Sequence, residues 1–152
     1  MSKHKVLVAD PIADAGIEEL QADHDLDVDV RIGIKEDELL KDASLYEAII
    51  VRSQTKITPQ VIESADNLKI VGRAGVGVDN IAIPTATTNG VIVMNTPAGN
   101  TISTAEHAFA LMLSSVRNIN IANNSVLKNE WDYEPFLGRQ IKSLTIGVIG
   151  YG

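Results

Sequence analysis

The chain has 152 residues, 45% of them hydrophobic and 22% charged, with no cysteine and a formal net charge of −7. That balance describes a folded chain with a core of its own, and it excludes a disordered tail, disulfides, thiolate metal sites and a cysteine nucleophile. The negative charge argues against nucleic-acid partners, and no apolar run approaches the ~20 residues of a membrane span, so a cytoplasmic protein without membrane partners is expected.

The acidity is local. Residues 1–50 hold 13 acidic and 5 basic side chains, whereas from Ile57 to Val116 the only cations are Lys69 and Arg73. An anion site in the middle of the chain must therefore rest on few, well-placed groups.

Lys5 to Ala9 is a continuously apolar run that predicts a strand, followed by a helix over Ala13 to Ala22. Leu26 to Ile32, where apolar residues alternate with aspartates, reads as an edge strand. A helix over Lys35 to Lys41 leads to a second apolar run, Ala48 to Val51, and a proline-started helix over Pro59 to Ser64 leads to a third, Leu68 to Val71. A helix near Ile81 to Thr88 and a fourth run, Val91 to Met94, complete the series. Runs apolar throughout belong to parallel strands covered on both faces. The βα rhythm predicts an α/β fold: a doubly wound parallel sheet of flavodoxin-like strand order.

After Asn100, Ser103 and Glu106 have the spacing of a capping box, and Ala105, Ala108, Phe109, Met112, Val116 and Ile119 recur at helical intervals. Leu111 and Leu113 interrupt the polar side, so this helix is expected to be covered on several faces, between domains or between subunits. A domain boundary is placed near Asn100. The last apolar run, Leu144 to Ile149, predicts a strand running into Gly150-Tyr151-Gly152.

In doubly wound sheets ligands bind beyond the carboxyl ends of the strands. The residues found there are Asp10-Pro11, Arg52 to Thr55, Gly72 to Asn80, and Asn95 to Pro97. Gly72, Gly75 and Gly77 allow bare amide N–H groups around Val76 to approach a carboxylate or phosphate; equally, they make a tight turn into a helix capped by Asp79. Arg52, emerging from a buried strand, favours an anion contact over a surface ion pair. Arg73 reads the same way or as a brace for the glycine loop. His107 is expected to be a structural residue of its helix, His4 and His24 to be solvated without partners at metal-ligand spacing, Trp131 a packing anchor and Asp10 a loop cap. Gly150 and Gly152 after a strand suit the first two glycines of a dinucleotide fingerprint, although a flexible end reads equally well.

Four segments, Val51 to Thr58, Gly72 to Ile81, Val93 to His107 and Leu144 to Gly152, resemble the D-isomer-specific 2-hydroxyacid dehydrogenases in order and spacing. The resemblance implies a substrate-binding domain over residues 1–100, an interdomain and dimerisation helix with its connection over 101–143, and the start of a Rossmann NAD domain over 144–152. It implies that Arg52, Ser53 and Asn100 hold a small anionic 2-hydroxy acid, and that Arg73, Gly75, Val76 and Gly77 lie near its carboxylate. Val76, Gly150 and Gly152 would meet NAD. The family's catalytic arginine, glutamate and histidine have no counterparts here, so no catalytic residue is assigned and these 152 residues alone are expected to be inactive. A homodimer or larger homo-oligomer is implied for the longer protein.

The substrate implied first is 3-phosphoglycerate, the starting point of serine synthesis. Family members acting on it often carry an arginine two residues after the tryptophan, where this chain has Trp131-Asp132-Tyr133. Tyr133 cannot neutralise a phosphate, which leaves another D-2-hydroxy acid open. Outside the family, a flavodoxin-like signalling module would want clustered carboxylates at the first and third strand tips, and Arg52-Ser53 argues against it. A short interaction protein pairing through the Ser103 to Ile119 helix is the remaining alternative.

Overall fold

Five short strands, His4–Val8 (β1), Leu26–Val30 (β2), Ala48–Val51 (β3), Ile70–Arg73 (β4) and Ile92–Asn95 (β5), pair in the order β2-β1-β3-β4-β5, all parallel. They come from a computed structural model that describes residues 3–150. Parallel neighbours cannot be joined by tight hairpins, and helices make the crossings: Asp14–Ala22 (α1), Glu36–Asp42 (α2), Pro59–Glu63 (α3) and Ile83–Thr88 (α4). This is the flavodoxin-like order expected from the sequence, with β2 at an edge as its aspartates require.

The register explains which side is buried. Leu7, Ile49, Val71 and Val93 stand abreast on one face, and the first three are fully buried among Leu39, Val61, Ile62 and Ala86 from α2, α3 and α4. On the opposite face, Val6 and Val8 are buried, but Ile70 is 36% and Ile92 and Met94 are each 58% exposed. The expectation that every apolar run is covered on both faces therefore holds for β1 and fails toward β5. The reason is in the layers: α1 lies against β2, and the other helices of the sheet pack on the Leu7 face.

Local chemistry sets the helix ends. Thr58 caps α3 by accepting the Val61 N–H at 3.4 Å, with Pro59 in the first turn. Gly90, at φ +71°, ends α4: its N–H donates to Thr87 O at 3.2 Å and the Val91 N–H to Ala86 O at 2.8 Å, the paired bonds of a Schellman stop.

Residues 101–150 belong to a second compact unit containing Thr101–Val116 (α5) and Ile119–Leu127 (α6). Three sequence expectations are corrected here: the Ser103 cap, the Leu144 to Ile149 strand and the Trp131 anchor. The helix starts at Thr101, which puts Ser103 inside it; Asn100, as favourable a capping residue type as serine, already precedes the first turn. No residue of α5 is buried, and Phe109 and Leu111 are 58% and 54% exposed, which agrees with a helix whose expected cover comes from other domains or subunits. Leu144 to Ile149 forms no strand, because strands are defined by pairing and no described segment pairs with it. Trp131 is 90% exposed and anchors nothing. Gly138 does meet a steric demand: a Cβ there would lie 2.5 Å from Val116 O, where the Arg139 N–H donates to the same carbonyl at 2.9 Å. Among the described residues no helix is long and apolar enough to cross a membrane.

Ile49, fully buried at the centre of the sheet, is expected to be the costliest kind of truncation: Ile49→Ala should destabilise by about 2–5 kcal/mol and Ile49→Val by about 0.5–1.5 kcal/mol. Denaturant midpoints of the two variants at constant m-value check this ordering.

Candidate functional site

The strand order reverses between β1 and β3, and the chain leaves these two strands in diverging directions at their carboxyl ends. Asp10 sits at that divergence, completely buried. Its Oδ2 accepts the Arg52 N–H at 2.6 Å and the Gln54 N–H at 3.2 Å, and its Oδ1 accepts the Thr55 hydroxyl at 2.6 Å, with the Thr55 N–H 3.1 Å from both oxygens. Burial pushes this carboxyl up, but the bonds from Thr55, Arg52 and Gln54 together outweigh it and hold the group below the usual carboxylate range. Asp10 is thus a cap, as expected, but of a loop 42–45 residues away.

That loop presents Arg52 and Ser53, both exposed. The Arg52 side chain touches Pro11 O at 3.4 Å, and among the described residues no carboxylate pairs with it. Its donors are largely unspent.

Arg73 behaves differently. Its side chain is only 11% exposed, and Nε donates to Asn80 Oδ1 at 3.0 Å and to Arg52 O at 3.2 Å. A Cβ on Gly75 would lie 2.9 Å from Arg73 Nη1, and one on Gly77 would lie 3.4 Å from it. The glycines make room for the guanidinium, and neither adopts a positive φ. Of the two sequence readings of Arg73, the geometry is that of the brace. Asp79 caps no helix, since α4 begins beyond Ala82; it stands 3.7 Å from Arg73 Nη2.

The glycine loop is tied down through its carbonyls. Thr96 N–H donates to Gly75 O at 3.0 Å and Asn95 Nδ2 to Val76 O at 2.7 Å. The Val76 and Gly77 N–H groups meet no acceptor among the described residues. They are the bare amides that the glycine pattern suggested.

Asn80 was not singled out by the sequence reading. Its Nδ2 donates to Arg52 O at 2.7 Å and to Thr55 O at 2.6 Å while its Oδ1 takes Arg73. Below it, Ile57 N–H donates to Asn80 O and Ala82 N–H to Ile57 O, both at 2.9 Å, zipping the two loops together. A cleft of about 480 Å³ runs beside this seam and is lined by Ser53, Lys56, Thr58, Asp79 and Asn80 among others. Arg52 and Gly75 to Gly77 are outside the cleft, beyond the carboxyl ends of β3 and β4.

Asn100 follows the β5 tip directly before α5. His107 is exposed on α5, His24 is exposed, and His4 Nδ1 lies 2.9 Å from Glu47 Oε1, a partner the sequence did not reveal. No group of residues suited to a metal occurs among the described residues. Gly150 has φ +86°, a backbone conformation that favours glycine, and no strand leads into it. Gly152 lies outside the described residues.

A five-stranded parallel sheet in the order β2-β1-β3-β4-β5 with flanking helices defines an α/β fold of flavodoxin-like topology. The sequence profile of the D-isomer-specific 2-hydroxyacid dehydrogenase catalytic domain matches residues 6–140, and the chain belongs to that family. It is 51% identical over 148 residues to D-3-phosphoglycerate dehydrogenase of Archaeoglobus fulgidus, covering 97% of this chain and 28% of that protein. Among solved structures it resembles D-lactate dehydrogenase of Aquifex aeolicus, complexed with NAD and lactic acid (TM-score 0.81, 28% identity, 98% of this chain and 45% of that one). It also resembles the NAD⁺-bound 3-phosphoglycerate dehydrogenase of Entamoeba histolytica (TM-score 0.67, 28% identity, 76% and 40%). The chain spans little more than a quarter of the length of such curated relatives.

Asp10 makes stability depend on acid. A carboxyl held below its ordinary value of 3.8 stabilises the fold above that pH, and the contribution is lost as pH falls toward the lowered folded value. Asp10→Asn is expected to cost about 2–3 kcal/mol near neutrality and less below about pH 3.8. Denaturant titrations of parent and variant at about pH 7 and about pH 3 should show the gap narrowing.

Proposed function

We propose that this segment binds and orients the substrate of an NAD-dependent D-2-hydroxyacid dehydrogenase, with 3-phosphoglycerate as the substrate and 3-phosphohydroxypyruvate as the product. The observation that carries the reading is the pair of unsatisfied amides at Val76 and Gly77 on the same sheet edge as the unpaired guanidinium of Arg52. Two anion-holding elements on adjacent strand tips suit a ligand with an anionic group at each end. The relatives named D-3-phosphoglycerate dehydrogenase support the phosphorylated substrate.

In this reading the amides of Val76 and Gly77 receive the carboxylate, while Arg52 and Ser53 receive the distal group and Asn100 adds a polar contact. Arg73 positions the glycine loop and places its charge behind the amides. Val76 and Gly150 are the described residues that would lie against NAD. NAD, when bound, would supply the acceptor for the hydride that leaves C2 of the hydroxy acid. The residues of this chain contribute by fixing C2 through both ends of the substrate, which lowers the cost of reaching a reactive geometry. Residues 1–100 form the substrate domain, and residues 101–143 the interdomain and dimerising portion.

Tyr133, two residues after Trp131, favours a second reading, in which the distal group is uncharged and the substrate is another D-2-hydroxy acid. Arg52 separates the two. In a chain extended through the cofactor domain, Arg52→Ala is expected to lower kcat/KM for 3-phosphoglycerate roughly ten- to over a hundredfold, from the ~1.5–3 kcal/mol of a charge-assisted contact. Arg52→Lys should recover part of the loss, since it keeps charge without the two-pronged geometry. Steady-state kinetics with 3-phosphoglycerate and an unphosphorylated D-2-hydroxy acid provide the comparison. An equal loss on both would move Arg52 to the carboxylate end, and no loss on either would refute the site.

A further inference from the structure

We infer that Asn80 is a positioning residue of this site: its carboxamide holds the loop bearing Arg52 and the glycine loop as one unit, so that the two anion-holding elements keep a fixed spacing. The inference rests on the substrate reading above and extends it to a residue that touches no ligand.

The geometry is specific to an amide. Nδ2 has two hydrogens and faces two carbonyls, Arg52 O at 2.7 Å and Thr55 O at 2.6 Å; Oδ1 faces one donor, Arg73 Nε, at 3.0 Å. A flipped carboxamide would set an oxygen against two carbonyl oxygens and an N–H against an N–H, so the network dictates one orientation. Aspartate has the right shape and the wrong polarity, being acceptor-only when ionised. Among the described residues, Asn80 has the one side chain that hydrogen-bonds both to the Arg52–Thr55 loop and to the guanidinium around which Gly75 and Gly77 fold. Asp10 fixes the Arg52 loop from the β1 side, and Asn95 fixes Val76 from the β5 side. Asn80 joins those two halves across the β3–β4 boundary, beside the direct bond from Arg73 Nε to Arg52 O whose guanidinium it also holds in place, so its loss should alter the spacing between Arg52 and the Val76 amide more than the integrity of either loop.

The test is a mutant cycle in the full-length enzyme, read as KM for 3-phosphoglycerate, KM for NAD and kcat. Asn80→Ala is expected to raise the substrate KM roughly tenfold or more with a smaller change in kcat and none in the NAD KM. Asn80→Asp should be at least as damaging despite its matching size. If Asn80 works through Arg52, adding Asn80→Ala to Arg52→Ala should change the substrate KM by less than about twofold. The same tenfold rise in both backgrounds would overturn the inference while leaving the substrate site standing. An unchanged KM in Asn80→Ala would do the same. If Arg52→Ala alone has no effect, the site reading fails and the inference with it. Should Asn80→Ala not fold, Asn80→Ser enters the same cycle, with thermal unfolding confirming that the variant is native.

Discussion

A buried carboxylate at the strand-order reversal is the constraint on which the functional edge depends. Removing Asp10 from water costs several kcal/mol unless its oxygens are fully bonded, and the chain supplies three backbone N–H groups and a hydroxyl to meet that demand. All four come from Arg52, Gln54 and Thr55. The carboxylate can be satisfied only if those residues wrap it, so the loop after β3 has one conformation set by β1. Arg52 consequently projects from a backbone ordered by the fold itself, which would reduce the entropy lost in the binding proposed for it.

The glycine loop obeys the same logic with the charges reversed. Arg73 is largely buried, and its guanidinium is enclosed by Gly75 and Gly77 and bonded to Arg52 O and Asn80 Oδ1. A cation spent on structure still acts electrostatically: it lies beside Gly75 and Gly77, in a loop whose Val76 and Gly77 N–H groups meet no acceptor among the described residues, and both favour negative charge near the loop. Asp79 offsets little of this, because it is 3.7 Å away and 87% exposed, where solvent screens the pair.

What was legible in the sequence follows from how far apart the interacting residues lie. The strands of the sheet and the helices between them were readable, because apolar runs and proline or glycine stops act within a few residues. The Gly75 and Gly77 pattern was readable as a loop of bare amides, although its steric reason, the room taken by Arg73, was not. Asn80 was passed over because its carbonyl partners are 25 and 28 residues distant. The strand expected at Leu144 to Ile149 shows the opposite limit: apolar content is a property of the segment, but a strand is a property of a pair. Exposure of α5 and of Ile92 and Met94 has the same origin, since burial depends on a covering partner that a local pattern cannot supply.

The uneven distribution of acidic residues also becomes intelligible. Asp27 and Asp29 lie on β2, the edge strand, where charge discourages pairing with other chains. Several neighbours are bound into a local network: Tyr46 donates to Asp29 at 2.6 Å and Arg31 holds Asp42 at 2.6 Å. At the sheet edge where an anion would bind, Asp10 is the buried acid, and an ionised carboxylate there would by itself repel a negatively charged ligand. Its charge is stabilised at short range by four neutral donors of the Arg52–Thr55 loop, and the cations near it are Arg52 and Arg73 on the neighbouring strand tips. The group that orders the loop therefore stays ionised, and an anion proposed to bind at these strand tips would have to be held against it by the charges of Arg52 and Arg73.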